Sequence, residues 1–360
     1  MTVANGVHAD SLITENYVDI SRGGIRYLAS GPTEGPLLIF IHGWPELAIS
    51  YRHQLPIFGA LGFRAVAVDM PGSGGSVVHK EQSDYSMEKI NADLIEFLSA
   101  LGRDKAVWIG HDWGSVMVWG IASHYPEHCH AVASLCVAYA WAERGIDHLI
   151  SLVDRDFYPE ATDPNGQWDY WRFYLERFDE ACAFFDANVD KIFKGLFVRG
   201  DPAAADLPAL TAGIFRAGGW FGGKPPEAEQ IDPAVLDEIA HAAYVAAFKK
   251  TGFFGADSFY INTYTNVEYT DRSVNDGILE MPVLFLNAAY DYTCETQRFW
   301  RQGEAMRIRC KNLTAVNIKS GHWMQQEKPT EVNAAIAHWL ATSAQIWAAL
   351  PEPDWKPLPE

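Results

Sequence analysis

Nine residues, Ala106-Val-Trp-Ile-Gly-His-Asp-Trp-Gly114, restrict the possible folds more than any other stretch of the chain. The first four are apolar, with β-branched Val107 and Ile109, as in a strand buried on both faces. Five residues bounded by glycine then lead into a helix-like run. Glycine at both ends of such a connection signals a tight strand-to-helix turn, strained at its apex and without room for side chains at its flanks. A turn of this shape lifts one side chain, here Asp112, over the end of a sheet and beside a helix N-terminus, whose amides favour an anion. The simpler alternative is an ordinary N-capping Asp.

The surrounding pattern supports a sheet. Leu37–Ile41 and Ala65–Val68 are further buried-strand runs. Between Val68 and Ala106, Met87, Ile90, Leu94, Phe97 and Leu101 recur at helical spacing, with Gly102 placed as a C-terminal cap. Strand, helix, strand in repetition means a mostly parallel α/β sheet flanked by helices. Tyr17–Ile20 and Ile25–Ala29 around Arg22-Gly-Gly24 predict an antiparallel edge hairpin. The same grammar returns at Pro282–Leu286, Leu313–Ile318 and Pro329–Leu340.

The middle differs, being dense in aromatics, glycine and proline. Helical stretches are expected at Trp168–Asp186 and Pro233–Lys250, with a long loop at Gly218–Pro226. At about 150 residues per domain, 360 residues suit roughly two domains or one large fold with an insertion. The expected division is a core over 1–138, a mainly helical cap over 139–267 and the rest of the core over 268–360. The tail Pro351–Glu360 is expected to be extended and poorly packed.

Charge narrows the partners. With 28 basic and 46 acidic residues the net charge is −18, which repels nucleic acid and anionic membrane and leaves a small neutral organic molecule as the expected substrate. Five cysteines without a CxxC pair read as packed thiols in a reducing compartment, with no disulfide framework and no metal site. No leader pattern and no apolar run near the roughly 20 residues of a membrane span are visible, so a cytoplasmic monomer or homodimer is expected.

Three more segments assemble a reaction around Asp112. His42-Gly-Trp-Pro45 follows the Leu37–Ile41 strand, where a loop can supply one oxyanion-hole amide. The two donors would be the backbone N–H groups of Trp44 and Trp113. Ser320-Gly-His322-Trp323 follows the last strand, and among 12 histidines His322 is singled out by that position. Asp291, at the end of Asn287-Ala-Ala-Tyr-Asp291, can hold the imidazole and stabilise its protonated form.

An Asp nucleophile needs no deprotonation and can displace a leaving group from saturated carbon, giving an alkyl-enzyme ester. His322 with Asp291 would then activate water against the ester carbonyl, with about 3 kcal/mol from each oxyanion donor. Epoxides and carbon–halogen compounds both suit this chemistry. An epoxide opens to an alkoxide that needs a proton, which a neutral phenol can give; a halide needs only N–H donors. Tyr174 and Tyr260 in the insertion are the candidate phenols.

HGWP and GHDWG together, with the insertion, resemble the soluble epoxide hydrolases of the α/β-hydrolase fold from about Tyr17 to Leu340. In that family two cap tyrosines open the ring. Gly252-Phe-Phe-Gly-Ala-Asp-Ser-Phe-Tyr260 is similar to one tyrosine motif, and Tyr174-Leu-Glu-Arg-Phe-Asp179 to the other, with Asp in place of Gln. Asp69-Met-Pro-Gly-Ser-Gly-Gly-Ser76 is similar to the family's glycine-rich loop. The resemblance implies covalent catalysis by Asp112, His322, Asp291, Tyr174 and Tyr260, and no cofactor. His42, Pro45, Trp171 and Trp323 are the expected pocket residues.

Two departures matter. Glu180-Ala181 stands where the family has proline-glycine, which makes Tyr170 a competitor for Tyr174. The strand end before Asp291 also lacks its usual glycine. The nearest rival is a haloalkane or haloacid dehalogenase with the same Asp nucleophile. The haloalkane enzymes typically carry Asn where this chain has Trp44, and fluoroacetate-type enzymes place arginines just after the nucleophile, where this chain has none. A non-catalytic relative would lack one of Asp112, His322 and Asp291. An ester hydrolase is poorly served by Asp112, whose attack would form an anhydride.

Overall fold

A computed structural model describes residues 12–204, 206–295 and 300–347. The N-terminal eleven residues and the Pro351–Glu360 tail lie outside the described residues. The core is one eight-stranded sheet of β1 (Thr14–Ile20), β2 (Gly23–Ser30), β3 (Leu37–Ile41), β4 (Arg64–Val68), β5 (Ala106–His111), β6 (Cys129–Leu135), β7 (Leu279–Ala288) and β8 (Cys310–Ile318). Their spatial order is β1-β2-β4-β3-β5-β6-β7-β8. β3 to β8 are parallel, while β1–β2 and β2–β4 pair antiparallel. The hairpin at the edge is as the sequence predicts.

Burial follows position. Every residue of β3 and β5 is buried, because helices cover both faces, whereas edge strand β1 is largely exposed. α1 (Leu55–Ala60) links β3 to β4, and α2 (Met87–Ala100) carries the chain back past β3 to β5. The predicted apolar stripe of α2 faces the core, and Gly102 adopts φ +71 just past its end. Strand order therefore reverses between β3 and β5, the point at which parallel sheets open a crevice beyond their C-terminal ends. His42–Pro45 and Asp112 follow these two strands. α3 (Trp113–His124) leaves the crevice from Asp112.

Strand β6 escapes the sequence reading. Its residues, Cys-His-Ala-Val-Ala-Ser-Leu, include alanine and serine, which favour strands weakly. Pairing with β5 and β7 on both sides overrides that preference.

Between β6 and β7 the described residues form no strand. They hold α4 (Gly145–Ser151), α5 (Asp169–Glu176), α6 (Phe178–Ala187), α7 (Val189–Leu196), α8 (Glu238–Thr251), α9 (Phe254–Ile261) and α10 (Thr263–Thr270). The expected helical stretch over Trp168–Asp186 is two helices, divided where Arg177 takes φ −138 and ψ 44. α8 begins at Glu238, five residues after Pro233, because Asp237 accepts from the Ala240 amide at 2.7 Å and caps it there. Within the Gly218–Pro226 loop, Phe221 and Gly222 turn left-handed, and the preceding Trp220 is buried. Core and helices meet at the glycine-rich loop, where a Cβ on Gly255 would lie 2.5 Å from the Gly72 Cα.

α11 (Glu304–Arg309), α12 (Met324–Glu327) and α13 (Pro329–Thr342) complete the described chain. The five thiols are free, four of them buried. No described helix is long and apolar enough to cross a membrane.

Candidate active site

Asp112 stands at the apex of the turn with φ 51 and ψ −123, a conformation only a tightly constrained connection imposes on a non-glycine residue. The flanking glycines explain themselves. A Cβ on Gly110 would lie 2.3 Å from the Gly114 carbonyl oxygen, and one on Gly114 would lie 2.1 Å from that of Ile41. No other residue lets β3, β5 and α3 converge here. The Trp44 amide donates to Asp112 Oδ1 at 2.7 Å. Trp113 opens α3, so its amide belongs to the first turn, which has no intrahelical acceptor. The Trp44–Pro45 peptide is cis.

His322 arrives from the loop after β8. Its Nε2 lies 3.6 Å from Asp112 Oδ2, and its Nδ1 lies 2.8 Å from Asp291 Oδ2. The other oxygen of Asp291 accepts from the amides of Thr293 and Cys294 at 2.8 and 2.9 Å. Burial opposes a charge on Asp291, but the imidazolium beside it and these hydrogen bonds win, holding its pKa near 2. Burial likewise works against a charged His322. The Asp291 charge and hydrogen bonds to Asp112 and Asp291 outweigh it, so the His322 pKa is raised well above the usual imidazole value.

Asp112 separates two small cavities. One, of about 30 Å³, is lined by Trp44, Tyr170, Trp220, Tyr260, His322 and Trp323 among others. The second, of about 20 Å³, lies against Trp113, Val116, Trp141, Tyr170, Trp171 and Cys294. The walls are mostly aromatic. Tyr170 is the one phenol that lines both cavities. Its ring meets Tyr260 edge-on at 5.6 Å. Burial first, and then neighbouring negative groups including Asp112, push both phenols well above their usual pKa, so they are neutral proton carriers.

Tyr174 is placed differently from Tyr170. Tyr170 and Tyr174 lie one turn apart on the same face of α5. The first turn of α5 faces Asp112. Tyr174 instead stacks on the far side of Tyr260, at 4.3 Å and 3°, and its hydroxyl is buried without a partner. It lines neither cavity.

The expected pocket residues divide. Trp171 lines the second cavity and donates to the Tyr260 carbonyl at 2.9 Å; Trp323 lines the first and donates to the Leu196 carbonyl at 2.8 Å. His42 and Pro45 line neither. The His42 ring turns back into the core, where Nε2 accepts from the Met70 amide at 2.9 Å, and burial lowers its pKa. His42 thus lies beneath the site, between the turn that carries Trp44 and Met70.

Two features under the site escaped the sequence reading. His111 Nδ1 pairs with Glu46 Oε1 at 2.5 Å, and both are wholly buried. Burial alone would lower the His111 pKa, but Glu46 raises it to about 10. His111 Nε2 holds the His322 carbonyl at 2.8 Å, and Gln325 secures the other Glu46 oxygen at 2.8 Å. The available signal was a charge on each side of the crevice, in otherwise apolar text. The second feature is Asp257, whose Oδ1 accepts from Trp44 Nε1 at 2.7 Å and whose pKa burial raises to about 8.

Known proteins share this arrangement of chain. Residues 36–199 match the family model described as alpha/beta hydrolase fold. The chain is 33% identical to bifunctional epoxide hydrolase 2 of Sus scrofa over 93% of its own length, and spans 56% of that protein. It is 30% identical to epoxide hydrolase A of Mycobacterium tuberculosis, covering 91% of this chain and 97% of the relative. The crystal structure of epoxide hydrolase A from Mycobacterium thermoresistibile superposes with a TM-score of 0.75 at 30% identity, over 94% of this chain and all of that one. With both cores and nearly the whole relative covered, the chain belongs to the epoxide hydrolase family of the α/β-hydrolase fold.

Proposed function

We propose that the protein hydrolyses a small neutral organic epoxide to a vicinal diol through a covalent ester on Asp112, with residues 139–267 acting as the cap that closes the site. An Asp112 oxygen attacks a ring carbon from behind, the ring C–O bond breaks, and Tyr170 or Tyr260 gives its proton to the departing oxygen. Esterification removes the negative charge facing His322 Nε2. With that support lost, the imidazolium gives up its proton, which restores the phenol that donated one, and the neutral ring, steadied by Asp291, takes a proton from water as it attacks the ester carbonyl. The amides of Trp44 and Trp113 hold the oxyanion; it collapses, the ester C–O bond breaks, and the departing alkoxide takes the remaining proton of the added water, leaving the diol and the Asp112 carboxylate.

The observation that carries this reading is one carboxylate flanked by an acid-held histidine and two neutral phenols in an aromatic-walled cleft. The dehalogenase reading has less support, because Trp44 Nε1 is committed to Asp257 and cannot serve a halide. The free thiols agree with a cytoplasmic setting. Incubation with styrene oxide and with a bromoalkane tests the proposal. Diol from the first without halide from the second supports it; halide release without diol overturns it.

A further inference from the structure

Asp257 is an odd residue for its position. It lies in α9 among Phe254, Ala256, Phe259 and Tyr260, and it is wholly buried. A carboxyl group taken out of water is costly unless its oxygens find donors. Here they do: Oδ1 accepts from Trp44 Nε1 at 2.7 Å, and Oδ2 accepts from the Cys182 thiol of α6 at 3.4 Å. Burial, joined by the Asp186 charge, outweighs these hydrogen bonds and raises the pKa to about 8, so at pH 7 the group is mostly the neutral acid and still offers the indole an oxygen. Two residues earlier, α9 is pressed against the glycine-rich loop, where a Cβ on Gly255 would lie 2.5 Å from the Gly72 Cα. The carboxyl is therefore presented to the core at a fixed depth.

Its partner supplies one donor of the oxyanion hole. Trp44 spends its amide on Asp112 Oδ1, at 2.7 Å, and its indole N–H on Asp257. The ring also packs against Tyr174, Phe185, Trp220 and Tyr260, with centroids 5.3 to 6.0 Å away. Apolar packing is non-directional and would hold a phenylalanine as well. The hydrogen bond is directional: it fixes the rotation of the ring and, through Cβ, the peptide that carries the amide. For stability alone, two apolar side chains of the same shape would serve nearly as well as this pair. What the pair adds is aim.

We propose that Asp257 is a positioning residue for ester hydrolysis: by holding the Trp44 ring from the cap, it aims the Trp44 amide at the oxygen that becomes the oxyanion. The oxyanion hole is then a joint structure of core and cap, complete only while α9 is seated. This deepens the proposed epoxide hydrolysis and rests on it. The amide does its main work after the ester has formed, when charge develops on the carbonyl oxygen. Loss of Asp257 should therefore fall on the second step and spare ring opening, in which Tyr170 and Tyr260 act.

The test is rapid quench of styrene oxide turnover with intact-mass measurement of alkylated enzyme, which reads opening and hydrolysis separately. It compares wild type, Asp257→Leu, Asp257→Asn, Trp44→Phe and the double variant Trp44→Phe/Asp257→Leu. Deleting an oxyanion donor typically costs about 100-fold or more, so a donor kept but misaimed should cost less, about tenfold. Asp257→Leu should hydrolyse its ester more slowly by that factor and accumulate adduct, with opening within about twofold of wild type. Asp257→Asn keeps an acceptor for the indole and should restore hydrolysis to within about threefold of wild type. Trp44→Phe should lose as much as Asp257→Leu, and the double variant should be no slower than either, because both substitutions cut one link. Should Asp257→Leu fold poorly, Trp44→Phe reads the same link from its other end. Hydrolysis at the wild-type rate in either single variant, a loss shared equally by both steps, no rescue by Asp257→Asn, or losses that multiply in the double variant would overturn the positioning role while leaving epoxide hydrolysis standing. Neither adduct nor diol from the wild type would instead remove the reading on which it rests.

Discussion

Replacing one hydroxyl group separates the two tyrosines of α5. Tyr170 lines the space on both sides of Asp112, whereas Tyr174 is stacked behind Tyr260 with its hydroxyl buried and unpartnered. In Tyr170→Phe the developing alkoxide loses one of two donors in a buried, aromatic-walled site. Loss of a donor to an oxyanion typically costs about 100- to 1000-fold. With Tyr260 still present, the lower end is expected, about 100-fold in the rate of ring opening, or about 2.7 kcal/mol. Tyr174→Phe removes a polar atom that already lacks a partner, so it should leave the opening rate within about twofold. It should also raise stability by about 1 kcal/mol, a Tm increase of about 2 °C. Stopped-flow tryptophan fluorescence with excess enzyme isolates ring opening, since Trp44 and Trp113 border Asp112, and calorimetry gives Tm. If Tyr174→Phe slowed opening as much as Tyr170→Phe, the placement of these two side chains would be refuted.

Two further variants probe the layer beneath the site. Glu46→Gln removes the charge that holds His111 protonated, and breaking a buried pair of this kind costs about 3 to 5 kcal/mol. Because the folded His111 pKa is raised to about 10, the pair's contribution is full below pH 6.5 and fades as pH rises through 10; urea unfolding of wild type and variant should therefore converge at high pH, and a constant gap would contradict the pairing. Asp257 has a folded pKa raised to about 8, so the folded state holds a proton the unfolded chain has released, and wild-type stability should fall as pH rises from about 4 through 8. Asn at 257 keeps an acceptor for Trp44 and cannot ionise, so the Tm difference between Asp257→Asn and wild type should grow in the variant's favour from pH 6 to 9; parallel profiles would show that Asp257 does not titrate there.

What the sequence made legible was whatever backbone crowding dictates. Gly110 and Gly114 admit no substitute because two strands and a helix meet within 2.3 Å of their missing Cβ atoms, and so the strand-turn-helix around Asp112 was plain. His322 and Asp291 could be picked by their places after successive strands, since a parallel sheet delivers every strand end to one edge. Choosing between Tyr170 and Tyr174 was harder. They share a helix face and are both buried, and only the angle at which α5 crosses the sheet decides which one faces Asp112. Adjacency to Trp44 in sequence does not bring His42 and Pro45 to the cavity walls. The turn instead points His42 toward Met70. The Glu46–His111 pair stayed hidden because neither residue is unusual alone and 65 positions separate them.

The central claim is that Asp112 itself bonds to carbon and that water attacks the resulting ester at its carbonyl. A single turnover in H2(18)O, with enzyme in excess over an epoxide, tests it most directly. The diol should emerge unlabelled, and mass spectrometry of the peptide containing Asp112 should show the heavy oxygen in its carboxylate. Heavy oxygen in the first-turnover diol, with an unlabelled Asp112 peptide, would mean that water opens the ring directly and would contradict the account.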